Sequence, residues 1–217
     1  MIDELFKVTV LATHTIANVS ETLAKKLKLP KEYRSVGIIT ADSDDPTYCA
    51  LDEATKDAAV TVVYAKSLYA GAGNATTRYA GEIIGILAGP NPSEVFSGLA
   101  SAVRFLESGI GFRSANEDNS VPYFAHTVSR TGSYLSKTAG VKEGQALAYL
   151  VAPPLEAAVG LDEALKAADV ELVALFEPPT ETNYGGGLLT GTQSACHAAC
   201  EAFAEAVKAV AARPREV

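Results

Sequence analysis

The sequence predicts an α+β fold used twice in one chain, and three observations carry that prediction. The stretch Leu51–Ala65 returns as Leu161–Leu175 with eight of fifteen positions identical. Each copy follows an apolar run, Val36–Thr40 in the first and Ala148–Val151 in the second, and each precedes a glycine-containing segment and a further helix. Strand-like and helix-like periodicities alternate, yet several connections between strands are too short for parallel crossovers. That combination favours antiparallel or mixed sheets with helices on one face, one α/β sandwich in residues 1–108 and a second in 109–217.

In the first half, apolar periodicity marks strands over Phe6–Ala12, Val36–Thr40, Val60–Ala65 and Glu82–Ala88. A short helix follows Ser20, and a longer one covers Leu51–Ala59. The best-marked helix follows Asn91, a good N-cap, with Pro92 at the first helical position and Glu94 at the third. Val95, Leu99, Val103 and Leu106 form its apolar stripe. The second half repeats the plan with strands over Tyr123–Ser129, Ala146–Val151 and Val170–Phe176 and a helix over Leu161–Ala168. A closing helix carries Phe203, Ala206, Val207 and Val210 on one face and ends before Pro214.

The 217 residues are 48% hydrophobic and 20% charged, and no apolar run approaches the roughly 20 residues that span a bilayer. The acidic start Met1–Phe6 lacks the basic region and cleavage site of a signal peptide, so a cytoplasmic location with no membrane partner is expected. Cys49, Cys196 and Cys200 are odd in number and read as reduced thiols. A net charge of -8 and a pI near 4.9 argue against a nucleic-acid surface, which needs clustered Lys and Arg.

Catalytic and cofactor motifs are missing: no Walker loop, no His-Glu-x-x-His helix, no nucleophile elbow and no paired Cys-x-x-Cys. Gly71 and Gly73 lack the third glycine and following helix of a dinucleotide fingerprint, so no cofactor is expected. Cys196 and Cys200 share a helical face that His197 cannot join, which reads as core packing rather than metal ligation, and His14 and His126 are isolated. The acidic cluster Asp42–Asp45 follows a strand, where carboxylates are solvated, cap the next helix or hold a cation. Glu82 sits at another strand boundary, and Phe112 offers an aromatic surface for an ammonium group. Two glycine-rich segments, Ser67–Ala80 and Glu181–Gly187, occupy equivalent places in the two halves and read as mobile loops.

Long irregular strings add a resemblance to these residues: Ile39–Tyr48, Leu68–Ala72, Ala88–Pro92, Val128–Gly140, Tyr149–Ala157 and Pro179–Tyr184. Across nearly the whole chain the sequence resembles the tandem-domain bacterial microcompartment shell proteins of ethanolamine utilisation. The resemblance implies two circularly permuted, ferredoxin-like shell domains and a homotrimer with pseudohexagonal outline. It further implies a place beside other shell proteins, and a central pore for small metabolites and larger cofactors. Loops matching the family's gate are Ser67–Ala80, Gly109–Ser114 and Glu181–Gly187, with Tyr69 and Phe112 as pore-side bulk and Gly71, Gly73 and Asn183 within them. For ethanolamine the resemblance implies Asp44, Asp45 and Glu82 at the ammonium, Thr182 or backbone groups at the hydroxyl, and Phe112 lining the site. Arg113 stands where relatives commonly place a second aromatic, and Gly185–Gly187 reads as a less ordered stretch than in relatives. The competing readings are a shell protein of a related microcompartment, a soluble trimeric small-molecule sensor, and an enzyme using the acidic cluster as acid and base.

Overall fold

The computed structural model describes residues 1–68, 81–178, 180 and 182–215; Tyr69, Gly71 and Gly73 lie outside them. The chain forms two compact units, and neither is a contiguous half. Lys7–Ile110 with Gly132–Leu135 makes the first-half unit; Met1–Phe6, Gly111–Thr131 and Ser136–Val217 make the second-half unit.

The first-half unit holds strands β1 (Val10–Ile16), β2 (Ser35–Ala41), β3 (Thr61–Ser67) and β4 (Ile83–Gly89) in the order β1-β2-β4-β3, every neighbour antiparallel. Helices α2 (Asp44–Asp57) and α3 (Pro92–Glu107) pack on one face. Strand alternation sends Ile39 and Leu87 toward them, and Gly37 and Gly85 leave room for Leu99 and Leu51 to approach the sheet. The opposite face carries Val36, Ile86 and Ala88, covered by Val19 and Ala24 at the short helix α1 (Glu21–Lys26). The helices therefore flank both faces in this unit, and the expectation of one helical face holds only for the two long ones. The cap of α3 is as expected: the Asn91 side chain accepts from the Glu94 N–H at 3.0 Å.

The second-half unit repeats the design with β5 (Arg113–Ser114), β6 (Pro122–Val128), β7 (Ala146–Ala152), β8 (Val170–Phe176) and β9 (Gly185–Gly191), ordered β5-β6-β7-β9-β8 and again antiparallel. Helices α5 (Pro154–Ala167) and α6 (Gln193–Ala212) pack on the Ala146, Ala148 and Leu150 side, around Leu161, Ala199 and Phe203. On the other side Phe124 meets Tyr149 edge-on, and Tyr149 packs at a tilt against Phe176. The repeat extends to irregularities: the pairing skips Val63 between Val62 and Tyr64 and, at the equivalent place, Val173 between Leu172 and Ala174.

Several expectations need correction. The first strand is Val10–Ile16 rather than Phe6–Ala12, because Phe6 instead donates its N–H to Phe112 O at 2.8 Å within the second-half unit. The helices placed at Leu51–Ala59 and Leu161–Ala168 begin earlier, at Asp44 and Pro154, since Pro46 and Pro154 sit in first turns where a missing N–H costs nothing. Gly185–Gly187 is no loose loop but the start of β9, an inner strand flanked by β7 and β8. Its glycines fit close backbones: a Cβ on Gly187 would lie 2.6 Å from Ala174 O, and one on Gly186 would collide with Leu150 O. Helix α4 (Ser133–Ala139) was not anticipated; it is too short to show an apolar stripe.

Candidate functional site

The acidic cluster forms where β2 runs into α2. Ser43 is the N-cap but makes no side-chain cap bond, and the following carboxylates take over the helix end. Asp44 Oδ1 accepts from the Asp45 N–H at 2.9 Å, and the Thr47 hydroxyl donates to Ser43 O at 2.6 Å. Negative charge at this end is favoured by the helix dipole. Asp44 and Asp45 are each only 8% exposed, so of the three alternatives free solvation does not hold for these two.

Burial of Asp44 is supported from β3: the Ser67 hydroxyl donates to Asp44 Oδ2 at 2.7 Å. Since that hydroxyl proton is committed, the 2.8 Å bond between Tyr48 Oη and Ser67 Oγ has Tyr48 as donor. Burial, followed by the nearby Asp44 and Asp45 charges, pushes the Tyr48 phenol up to about 12. Tyr48 and Ser67 are the partners that sequence reading missed. The available signal was Tyr48 standing one helical turn after Asp44, hence on the same face.

Glu82 reaches the same end of the sheet. Its N–H donates to Ala41 O at 2.8 Å and its carbonyl accepts from the Leu68 N–H at 2.7 Å, fixing it beside the β2–α2 junction. Gly81, at φ +62, makes this possible, because a Cβ there would lie 2.6 Å from Ala41 O. Asp42 closes the group: it exchanges two bonds with Thr9, N–H to O at 3.1 Å and Oδ1 from N–H at 2.7 Å. Asp42, Asp44, Asp45 and Glu82 thus all stand at one end of the first sheet.

Phe112 and Thr182 belong to the second-half unit. There Phe112 packs against Phe124 at 5.4 Å and edge-on to Tyr184 at 5.8 Å between ring centroids. Asn183 adopts φ 62 in a turn closed by the Thr180 hydroxyl, which donates to Tyr184 O at 2.9 Å. Arg113 is exposed and donates from Nη1 to Asp3 O at 3.0 Å. Cys49, Cys196 and Cys200 are free and buried, and burial raises the Cys200 thiol to about 11. His197 lies exposed on the other side of α6, 3.4 Å from Glu201. Among the described residues no group of three His, Cys, Asp or Glu is placed to hold a metal ion, and no helix is long and apolar enough to cross a membrane.

No family model matches the chain. A curated relative, bacterial microcompartment shell protein EutL of Clostridium perfringens, is 65% identical over 214 residues, covering 99% of each chain. The chain belongs to the EutL family of bacterial microcompartment shell proteins. A crystal structure of the ethanolamine utilization protein EutL from Leptotrichia buccalis matches with a TM-score of 0.98 at 64% identity, covering 100% of both chains. A trimeric bacterial microcompartment shell protein, PduB, shares the fold at TM-score 0.73 and 22% identity, over 94% of this chain and 89% of that one. Like other EutL proteins, this one is a component of the microcompartment shell inside the bacterial cytoplasm, built from tandem shell domains.

Proposed function

We propose that the protein is a non-catalytic tile of an ethanolamine-utilisation shell, a homotrimer whose centre passes small polar metabolites through a loop-gated pore. The observation behind this reading is the internal repeat: strand order and even the skipped residue in the last-but-one strand recur in both units. A chain carrying two like units, used three times around one axis, supplies six similar sectors. The trimeric PduB and the ethanolamine utilization EutL named above support the assembly and the pathway.

Ethanolamine binds, in this proposal, with its ammonium at the carboxylates of Asp44, Asp45 and Glu82. Asp44 is tied to the Ser67 hydroxyl of β3, so replacing it would disturb the sheet end itself, and Asp45 and Glu82 are the positions to alter. Calorimetry on the assembled protein should show ethanolamine binding lost in Asp45→Asn and Glu82→Gln; binding unchanged in both would remove the site. Phe112, Thr182 and Asn183 serve as loop and lining residues in the proposal, and Tyr69, Gly71 and Gly73 as gate residues. Sedimentation and electron microscopy test the tile itself: trimers that form two-dimensional sheets agree with it, trimers that never associate favour a sensor, and a monomer at every concentration refutes it.

A further inference from the structure

The two units differ in one respect that their shared design makes informative. In the first-half unit, Gly132–Leu135 lies on the outer face of α2. Gly132 N–H donates to Asp52 Oδ2 at 2.7 Å, Leu135 N–H to Asp52 Oδ1 at 2.8 Å, and Ser133 N–H to Thr55 Oγ1 at 3.0 Å. Tyr134 stacks on Tyr48 at 6.2 Å, and Leu135 is 1% exposed.

The equivalent pieces in the other combination are Ser20–Leu23 and the outer face of α5, and both are exposed. The register between α1 and α4 is fixed by their endings: Leu29 N–H donates to Ala24 O at 3.0 Å as Val141 N–H does to Ser136 O at 2.9 Å, each after a residue of positive φ, Lys28 or Gly140. Ser20 therefore corresponds to Gly132, and Leu23 to Leu135. Leu23 is 41% exposed. The repeat of Leu51–Ala65 in Leu161–Leu175 matches Asp52 with Asp162 and Thr55 with Leu165. Ala158, Val159, Asp162 and Leu165 are all exposed on α5, where Tyr48, Cys49, Asp52 and Thr55 are covered on α2. The bare face is also the more apolar one, with Val159 for Cys49 and Leu165 for Thr55, and such faces on repeated units mark contact surfaces.

We infer that Ser20–Leu23 of one copy docks on the Val159, Asp162 and Leu165 face of α5 in a second copy. It repeats between chains the joint that Gly132–Leu135 makes with α2. Leu23 fills the place of Leu135, and Asp162 accepts the backbone N–H of Ser20 as Asp52 accepts that of Gly132, while the Leu23 N–H keeps its bond to Ser20 Oγ at 3.4 Å. The occupant is a second copy because, within a single chain, both partners of the joint stay exposed. A contact from the first half of one molecule to the second half of the next runs head to tail, and such contacts close into rings when the rotation fits. This deepens the trimer proposed above and rests on it.

Disulfide trapping tests the joint. A Cβ on Gly132 would press on Thr55 Oγ1, so residues 20 and 165 of adjoining copies fall within the roughly 4 Å Cβ separation that a disulfide needs. The native thiols are buried and do not compete. With oxidised glutathione, Ser20→Cys/Leu165→Cys should give covalent dimers and trimers on a non-reducing gel. The co-expressed single variants should give dimers only, and each single variant alone should stay monomeric on the gel. Leu23→Asp, its circular dichroism unchanged, should weaken trimer association by at least about tenfold. Sedimentation of a trimer with no interchain disulfide, or a Leu23→Asp trimer of unaltered affinity, overturns this joint while leaving the trimer standing; a monomer overturns both.

Discussion

Helices α2 and α5 carry the same Leu-Asp-Glu-Ala-x-Lys string and meet opposite environments. Asp52 is wholly buried under Gly132–Leu135, and Lys56 bridges to it at 3.5 Å while also pairing with Glu53. Asp162, in the same place on α5, is 62% exposed, and Lys166 pairs with it and with Glu163 in solvent. The string itself therefore says nothing about burial. What decides it is whether another segment supplies donors: two backbone N–H groups and an ammonium compensate the desolvation of Asp52.

The largest break in this comparison should come from Asp52→Ala. It strips the acceptor from two buried N–H groups and leaves Lys56 short of a partner, a loss of about 3–5 kcal/mol in urea unfolding. Asp162→Ala should leave the unfolding midpoint of the subunit in place, and its effect should instead be read on association. Equal destabilisation by the two would end the contrast. Next, Leu135→Ala should cost about 2–5 kcal/mol as a buried truncation, with Leu23→Ala nearly silent in subunit unfolding.

A smaller effect sharpens the contrast in the core. Gly160 of α5 stands where α2 has Ala50, and a Cβ there would lie 2.7 Å from Cδ2 of the buried Phe203 ring. Gly160→Ala should lose about 1–3 kcal/mol by overpacking, against the gain expected of glycine replaced in an uncrowded helix.

The smallest effect at neutral pH belongs to Tyr48, which has Ala158 as its counterpart. Its phenol is raised to about 12 in the fold, while an unfolded tyrosine titrates near 10. The stability this contributes is whole below pH 10 and declines as pH rises from about 10 toward 12, because only the unfolded chain loses that proton easily. Alkaline unfolding of Tyr48→Phe should show a shallower decline than the unaltered protein, as followed by circular dichroism between those values.

Much of the fold was legible because its signals were local. Asn91, Pro92 and Glu94 mark a helix start by their own chemistry, and the apolar runs at Val36–Thr40 and Ala146–Val151 fall within real strands. The errors have non-local causes. Phe6 looked like strand interior, yet its backbone partner is Phe112, far along the chain. Three consecutive glycines looked like a loose loop, whereas at Gly186 and Gly187 the neighbouring strands approach too closely for side chains. In the site, Asp44 was visible as a charge, but its hydroxyl partner Ser67, itself bonded to Tyr48, comes from β3, which only the folded sheet end brings to it. Asp52 drew no notice, since its role comes from a segment eighty residues away.

The skipped residues Val63 and Val173 both fall in β3 and β8, strands that border their sheets. An extra residue in a border strand twists it and spoils the even row of free amide and carbonyl groups that another strand would zip onto. A molecule made to gather at high density in a shell can thus crowd against its own kind without seeding fibrils through its β-sheets.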